Sequence, residues 1–248
     1  MKTSIKLLWV GLILIVVTLM TFITCTRIDL KEIVPQDGNG VVIEKTFPSK
    51  EFSGISARNG IVVHYVPAEE YAVKIKTDSN LFKHMRHTVF NGDWMHVSST
   101  PELGSPTQLD ITVYAPSIKG IEATHSAEII CDSTIEQESF EVRTHNSGKA
   151  SFVAVTENLK IRAHNSSRIF ASGQTEDLNL VSQNSSKVDA SQLFVQYADV
   201  VANRSGEAEV KVEQRLVSNC GSGSQVVYSG PEGLNVKAIG QGVTRPKE

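Results

Sequence analysis

The stretch IRAHNSS at residues 161–167 returns as LVSQNSS at residues 180–186, nineteen positions later. Both copies contain an aliphatic residue, a spacer, a small residue, two polar positions and then two positions held by Ser or Gly. The small residues of seven successive copies are Ala123, Thr144, Ala163, Ser182, Ala202, Ser218 and Ala238. Their spacing is 19 to 21 residues, apart from a contraction to 16 between Ala202 and Ser218. A repeat of this length predicts a solenoid.

Each copy carries an aliphatic side chain two positions before its small residue. These seven side chains are Ile121, Val142, Ile161, Leu180, Val200, Leu216 and Val236. Beyond the Ser/Gly positions apolar and polar residues alternate, which is typical of half-buried strands rather than helices. Coils stacked at a strand spacing of about 4.8 Å would bury one continuous core. We therefore predict an all-β parallel β-solenoid (a β-helix) with coils of about 20 residues.

The Ser/Gly positions predict a tight corner that recurs on every coil. We interpret one column of residues at this corner as structural: Asn146, Asn165 and Asn184, followed by Ser147, Ser166, Ser185 and Ser205. Side chains of this kind bond locally and tolerate turn conformations. Asparagines on consecutive coils can also bond to one another, as in other stacked strands. In the sixth copy the same alignment places Cys220 in the asparagine column.

A second polar column precedes the corner, at positions of opposite parity to the core. It contains His145, His164, Gln183 and Asn203, and the alignment extends it to Thr124 and Asn219. We expect an outward stripe here that could bind a glycan through repeated hydrogen bonds; the alternative is an ordinary solvated face. His145 and His164 should lie about 5 Å apart on adjacent coils. No acidic residue or cysteine accompanies them, so we predict neither a metal site nor a cofactor.

The N-terminus has the pattern of an export signal. Lys2 and Lys6 precede an uncharged run from Leu7 to Thr24, and Cys25 ends that run. This resembles a bacterial lipoprotein signal, in which Cys25 becomes the lipidated first residue. An uncleaved membrane anchor and ordinary cleavage are the alternatives. We expect an exported, membrane-anchored protein, an outer-membrane lipoprotein facing either the periplasm or the cell surface.

The other two cysteines, Cys131 and Cys220, fall in the first and the sixth copies of the repeat. Five coil steps of about 4.8 Å separate them by about 24 Å. A disulfide needs Cα atoms within about 7 Å. We predict that both are buried and unpaired.

The chain divides into three parts. Residues 1–25 are the signal peptide or anchor, and residues 26–50 are a tether with a first edge strand. Residues 51–243 form the solenoid, with irregular coils over 51–115 and regular repeats over 116–243.

Short motifs outside the repeat give the chain a family resemblance. They are Gly38-Asn39-Gly40, Phe52-Ser53-Gly54-Ile55, Gly60-Ile61-Val62-Val63, Asn80-Leu81 and Asn91-Gly92-Asp93-Trp94, and towards the C-terminus Gly221-Ser222-Gly223, Val227-Tyr228-Ser229-Gly230 and Gly240-Gln241-Gly242. In this order they resemble the head GIN-domain family of auto-transporter adhesins from Bacteroides-like bacteria. The resemblance implies an all-β solenoid in a cell-envelope protein, commonly a lipoprotein. It carries no catalytic residue over to this chain.

Composition and motifs narrow the classes of function. A net charge of −3 argues against nucleic acid as a partner. The acidic residues scatter over different columns instead of clustering for acid–base chemistry, and no GxSxG or HExxH motif is present. We expect a non-catalytic cell-envelope protein, not an enzyme, that presents a surface for binding a glycan or another surface protein. The alternatives are a polysaccharide-active β-helix enzyme and a structural envelope element that assembles through its coil ends.

Overall fold

The computed structural model describes residues 12–18, 34–90 and 93–247. Residues 12–18 form a short helix, and a single 3₁₀ turn occurs in the rest of the described chain, at Phe82–His84. The strands are β1 (Val42–Pro48), β2 (Gly54–Arg58), β3 (Val62–Pro67), β4 (Ala72–Asp78), β5 (Met85–Phe90), β6 (Trp94–Ser99), β7 (Leu109–Ala115), β8 (Gly120–Thr124), β9 (Glu128–Cys131), β10 (Ile135–His145), β11 (Lys149–His164), β12 (Arg168–Gln183), β13 (Lys187–Asn203), β14 (Glu207–Cys220), β15 (Gln225–Ser229), β16 (Asn235–Ile239) and β17 (Val243–Pro246).

The predicted parallel β-solenoid is confirmed. The long strands β10 to β14 pair in parallel, each with the next coil. Ile161 lies beside Leu180, and Leu180 beside Val200, all three fully buried. The apolar side chains that alternate along each strand therefore form the continuous core that the repeat predicts.

Each long strand spans two faces of the solenoid. Inward and outward side chains alternate along β11, but Glu157 and Asn158 are both exposed, so the strand bends between them. We call the halves before the corner face A (residues 139–145, 158–164, 177–183 and 197–203). The halves that follow the corner are face B (residues 149–156, 168–175 and 187–195).

The N-terminal coils are stacked in a different order from the sequence. Strand β2 pairs with β6 on one side and with β8 on the other, and β3 likewise lies between β7 and β9. The coil formed by residues 54–67 is thus inserted between a later coil and the repeats. Antiparallel strands cover this end, because β5 pairs with β6, β4 with β7, and β1 with β4.

The glycine motif at residues 38–40 closes against this covered end. Asp78 is fully buried, and its two carboxylate oxygens accept the backbone N–H groups of Gly40 and Thr107, each at 2.7 Å. A Cβ on Gly38 would lie 2.3 Å from the Asp78 carboxylate, and Gly40 has φ +76°. The side chain of Asn39 also bonds to Ser79, at 3.0 Å. These contacts give the motif a structural role at the start of the fold.

The register of the sixth repeat differs from the one we predicted. Leu216 lies beside Ala198, not Val200, and Cys220 lies beside Ala202. The reason is a pair of irregularities between β13 and β14, where the pairing shifts between Ala190 and Phe194 and again after Val195. The shift is two residues, so buried side chains stay buried. Cys220 is consequently a core residue, 1% exposed, and placing it in the asparagine column was wrong.

Cys131 and Cys220 are free and buried, as predicted. Cys25 and most of the segment 1–25 lie outside the described residues, as do Asn91 and Gly92. Within the described ranges, no helix is long and apolar enough to cross a membrane.

Candidate binding surface

The corner of the solenoid has an unusual backbone conformation that repeats from coil to coil. At five consecutive corners both residues have φ between 50° and 63°: His125-Ser126, Asn146-Ser147, Asn165-Ser166, Asn184-Ser185 and Arg204-Ser205. This left-handed region is unfavourable for most side chains, and asparagine is among the residues that tolerate it best. The local sequence therefore matches the turn.

The three corner asparagines form a hydrogen-bonded ladder. The amide of Asn165 donates to Oδ1 of Asn146 at 2.9 Å, and the amide of Asn184 donates to Oδ1 of Asn165 at 2.8 Å. Asn146 and Asn165 are exposed and Asn184 is half-buried. The ladder therefore runs along the surface of the corner.

The corner serines lie in the next row and are all exposed: Ser147, Ser166, Ser185 and Ser205. The backbone N–H of Ser147 donates to the carbonyl of Asn165 at 2.9 Å, and that of Ser166 to the carbonyl of Asn184 at 2.9 Å. Within the described residues the four serine hydroxyls make no hydrogen bond. Their backbone closes the corner while the hydroxyls remain available to a ligand.

The stripe residues lie side by side on face A. His145 occupies the first of four successive coils, and pairing places His164 beside Gln183 and Gln183 beside Asn203. All four side chains are half-buried. The ends of the stripe differ from the sequence alignment: Thr124 is buried, and Asn219 lies beside Val201 because of the register shift. The stripe thus comprises four neighbouring side chains next to the asparagine ladder.

The two histidines set the electrostatics of the stripe. Partial burial lowers the pKa of His164 below its ordinary value, and the neighbouring His145 and Arg162 lower it further. A neutral imidazole both donates and accepts hydrogen bonds. The stripe therefore combines imidazole and amide groups that can donate and accept hydrogen bonds. No group of three or more His, Cys, Asp or Glu residues in the described chain could hold a metal ion.

A cavity of about 780 Å³ lies near the covered N-terminal end. Its lining includes Lys83, His84 and Arg86, together with Glu102. The His84 ring contacts Gln36 at 3.1 Å and Thr100 at 3.2 Å. Burial lowers the pKa of His84, and Lys83 lowers it further. Val34, Pro35 and Gln36 also line the cavity.

Sequence reasoning missed two exposed aromatic residues on face B. Phe170 and Phe194 are 43% and 48% exposed, and Lys211 lies over the Phe194 ring at 3.8 Å from its centroid. Both occupy outward positions in the alternation, where the pattern predicts polar residues. The sequence did hold a signal for them: each is an aromatic residue at a position of the alternation that faces outward.

These stacked coils and repeated corners define a parallel β-solenoid with an extended polar edge. A family model described as putative auto-transporter adhesin, head GIN domain, matches residues 51–231. The chain belongs to this family, as its motifs predict.

Several solved structures share the fold. A putative adhesin from Bacteroides fragilis NCTC 9343 is 13% identical, with a TM-score of 0.76 over 86% of this chain and 100% of that one. A putative adhesin from Parabacteroides distasonis ATCC 8503 is 17% identical, with a TM-score of 0.65 over 85% and 99% of the two chains. A putative lipid binding protein from the same organism is 15% identical, with a TM-score of 0.66 over 86% and 100%. No curated protein matches the chain.

Proposed function

We propose that this protein is a non-catalytic surface protein that binds its target through the polar edge of the solenoid. The observation that carries the proposal is the row formed by His145, His164, Gln183 and Asn203, one residue per coil. The exposed serine hydroxyls of the corner form a second row, which lies beyond the asparagine ladder. Hydrogen-bonding groups repeated at about 4.8 Å suit an extended ligand that makes the same contact several times, such as a glycan chain. Membership of a family described as adhesins supports this reading.

The arrangement of charged groups favours binding over catalysis. Glu141, the most paired carboxylate of face A, contacts Arg143 at 2.6 Å and Arg162 at 3.4 Å, and the Arg143 hydrogen bond holds its pKa below the usual value. A general acid needs the opposite shift. The hydrolase alternative therefore finds no support at the stripe.

Attachment to the membrane through a lipidated Cys25 belongs to the same proposal. A tether from Cys25 to the first strand would hold the solenoid near an outer-membrane surface with its polar edge exposed. The uncharged run that precedes Cys25 supports export.

The test replaces His145, His164, Gln183 and Asn203 together with alanine. Wild type and variant are compared on an array of neutral and acidic oligosaccharides, and on cells in an attachment assay. We expect binding to fall at least about tenfold while the thermal unfolding midpoint changes little, because all four side chains point away from the core. Undiminished binding would overturn the stripe as the binding site and direct attention to the cavity beside His84.

A matched control lies on the same face. Lys160, Asn179 and Asp199 form another outward column on three of the same coils, and all three are exposed. Their replacement with alanine should leave binding unchanged. A loss as large as that of the stripe variant would mean that the whole face binds, not the edge.

A further inference from the structure

Face B of the central coils has an exposed apolar centre. Val153, Val155, Phe170 and Phe194 are 39%, 47%, 43% and 48% exposed. They occupy three consecutive strands, β11, β12 and β13, and Phe194 lies beside Gln174 in the row that also contains Val155. Between residues 54 and 229 of the described chain, Val62 is the only other large hydrophobic side chain that is comparably exposed. Apolar side chains gathered on one face indicate an interaction surface.

Charged residues of opposite sign lie at the two margins of this centre. The margin next to the corner is basic, because Lys149, Arg168 and Lys187 are adjacent on consecutive coils. The opposite margin carries Glu157 and Glu176 at the bends of β11 and β12. Each of these two strands therefore runs from a basic residue to an acidic one across face B.

The central charges of both margins have no partner within the described part of the chain. Lys149 pairs with Glu128 at 3.7 Å and Lys187 with Glu207 at 3.3 Å, but Arg168 has no acid within ion-pair distance. Glu157 and Glu176 also lack an ion pair among the described residues. Like charges side by side on neighbouring strands are unfavourable. The eight residue steps from Arg168 to Glu176 span about 26 Å, too far for the two to neutralise each other.

A two-fold axis parallel to the solenoid axis removes this mismatch. It reverses the strand direction of a facing copy, so that Arg168 meets Glu176 of the second copy and Lys149 meets Glu157 of the second copy. Ser172, midway between Arg168 and Glu176 on β12, then lies close to the axis. An interface of this isologous kind makes every contact twice.

We propose that face B is a self-association surface on which a second copy of this chain docks, base to acid, across the apolar centre. Both solenoids then point the same way, so their N-terminal ends lie on the same side. The stripe on face A stays exposed in both copies, and the dimer presents two binding edges. Its existence does not depend on the stripe being the binding site.

The size of the contact sets its strength. Three to five strands at about 4.8 Å and eight residues at about 3.3 Å each cover about 400–600 Å² on each copy. This is at the small end of specific interfaces. The dimer should therefore be reversible, with a dissociation constant in the micromolar range, and should form readily where chains are concentrated on a membrane.

Cysteine crosslinking of the full chain in intact cells tests the geometry. Ser172→Cys places two thiols near the proposed axis, and Asn179→Cys places an exposed thiol on face A as the matched control. Cys131 and Cys220 are 6% and 1% exposed and should not react, and Cys25 is common to both variants. Mild oxidation should yield a covalent dimer from Ser172→Cys at least about five times more abundant than from Asn179→Cys. Equal yields from the two variants would overturn the proposal.

A charge exchange within the Ser172→Cys chain makes the test specific. Arg168→Glu should reduce the dimer several-fold, and adding Glu176→Arg should restore it, because the exchanged pair is again complementary in a symmetric dimer. Lys160→Glu makes the same change of charge on face A and should have no effect. Crosslinking that is insensitive to Arg168→Glu, or that the second change does not restore, would contradict the base-to-acid arrangement. Circular dichroism of each variant confirms that the solenoid remains folded.

Discussion

The imidazole rings of His145 and His164 stack face to face, with centroids 5.0 Å apart and planes inclined by 6°. Parallel strands in register bring identical side chains on neighbouring coils into this arrangement. A proton on His164 would place a positive charge against the His145 ring, and this proximity adds to the burial that lowers the pKa of His164.

The first prediction follows from the lowered pKa of His164, caused by burial and then by His145 and Arg162. In the unfolded chain a histidine titrates near pH 6.5. A histidine with a lower pKa in the folded protein contributes stability above pH 6.5 and loses it as the pH falls, since the unfolded state then binds more protons. Wild-type protein should therefore unfold at lower urea concentration at pH 5.0 than at pH 7.5.

His164→Gln provides the comparison, because glutamine already occupies the next coil as Gln183. The urea midpoint of this variant should fall less between the two pH values than that of the wild type. Burial also lowers the pKa values of His87 and His96, and these act equally in both proteins. An identical fall in both proteins would show that His164 does not contribute.

The second prediction separates the two roles of Asn165. Asn165→Gly removes the amide ladder while keeping φ 57° accessible, because glycine has no Cβ to strain there, so it should cost about 0.5–1.5 kcal/mol of unfolding free energy. Asn165→Ala removes the same amide but keeps a Cβ in the left-handed region without the asparagine side chain that favours this conformation, so it should cost about 1 kcal/mol more than glycine. Urea denaturation at pH 7.5 measures both. If alanine is no worse than glycine, the corner conformation does not limit stability.

The third prediction concerns the core. Leu180 is fully buried between Ile161 and Val200, so Leu180→Ala should lower the unfolding free energy by about 2–5 kcal/mol. The adjacent Asn179 points outward, and Asn179→Ala should change it by less than about 0.5 kcal/mol. Equal effects of the two substitutions would contradict the observed register.

The fourth prediction distinguishes the fates of Cys25 by counting thiols. Burial raises the pKa of Cys131 to about 12, and burial also raises that of Cys220, so neither should react with iodoacetamide at pH 8 before unfolding. A lipidated Cys25 has no thiol, which predicts none reactive in the native protein and two after denaturation. An uncleaved anchor keeps the Cys25 thiol, which predicts one reactive thiol in the native protein and three after denaturation.

Thiol counting does not distinguish a lipidated Cys25 from ordinary cleavage after Cys25, because both leave two thiols. A labelled fatty acid separates these two cases. Wild-type protein should carry the label, and Cys25→Ala should not. Wild-type protein without label would exclude the lipoprotein.

The regular half of the fold could be predicted because its chemistry repeats. The buried column of Ile161, Leu180 and Val200 follows from the period of the repeat and from the alternation of inward and outward residues along each strand. The position of Leu216 could not be predicted in this way, because the contracted spacing indicates an irregular coil but not where the pairing between β13 and β14 shifts. The stacking order near Ile55 is also invisible, since neighbours in an inserted coil are not neighbours in sequence.

Part of the candidate site could be predicted from the sequence for the same reason. Four stripe residues share one position of the repeat, so a pattern finds them as a set. The bond between Asn146 and Asn165 is expected from their shared position on consecutive coils, but the pattern does not reveal that both side chains are exposed. Nor does it indicate why Phe170 is exposed, because parity alone cannot name the molecule that covers an outward aromatic ring.

The inserted coil of residues 54–67 affects how the chain can fold as it emerges. Strand β2 needs β6 on one side and β8 on the other, so its second edge stays open until residue 124 has appeared. An open strand edge invites pairing with other chains. A chain that crosses a membrane N-terminus first therefore exports its first coil well before its neighbour. During that interval the edge of β2 is exposed to such pairing, and β8 then covers it.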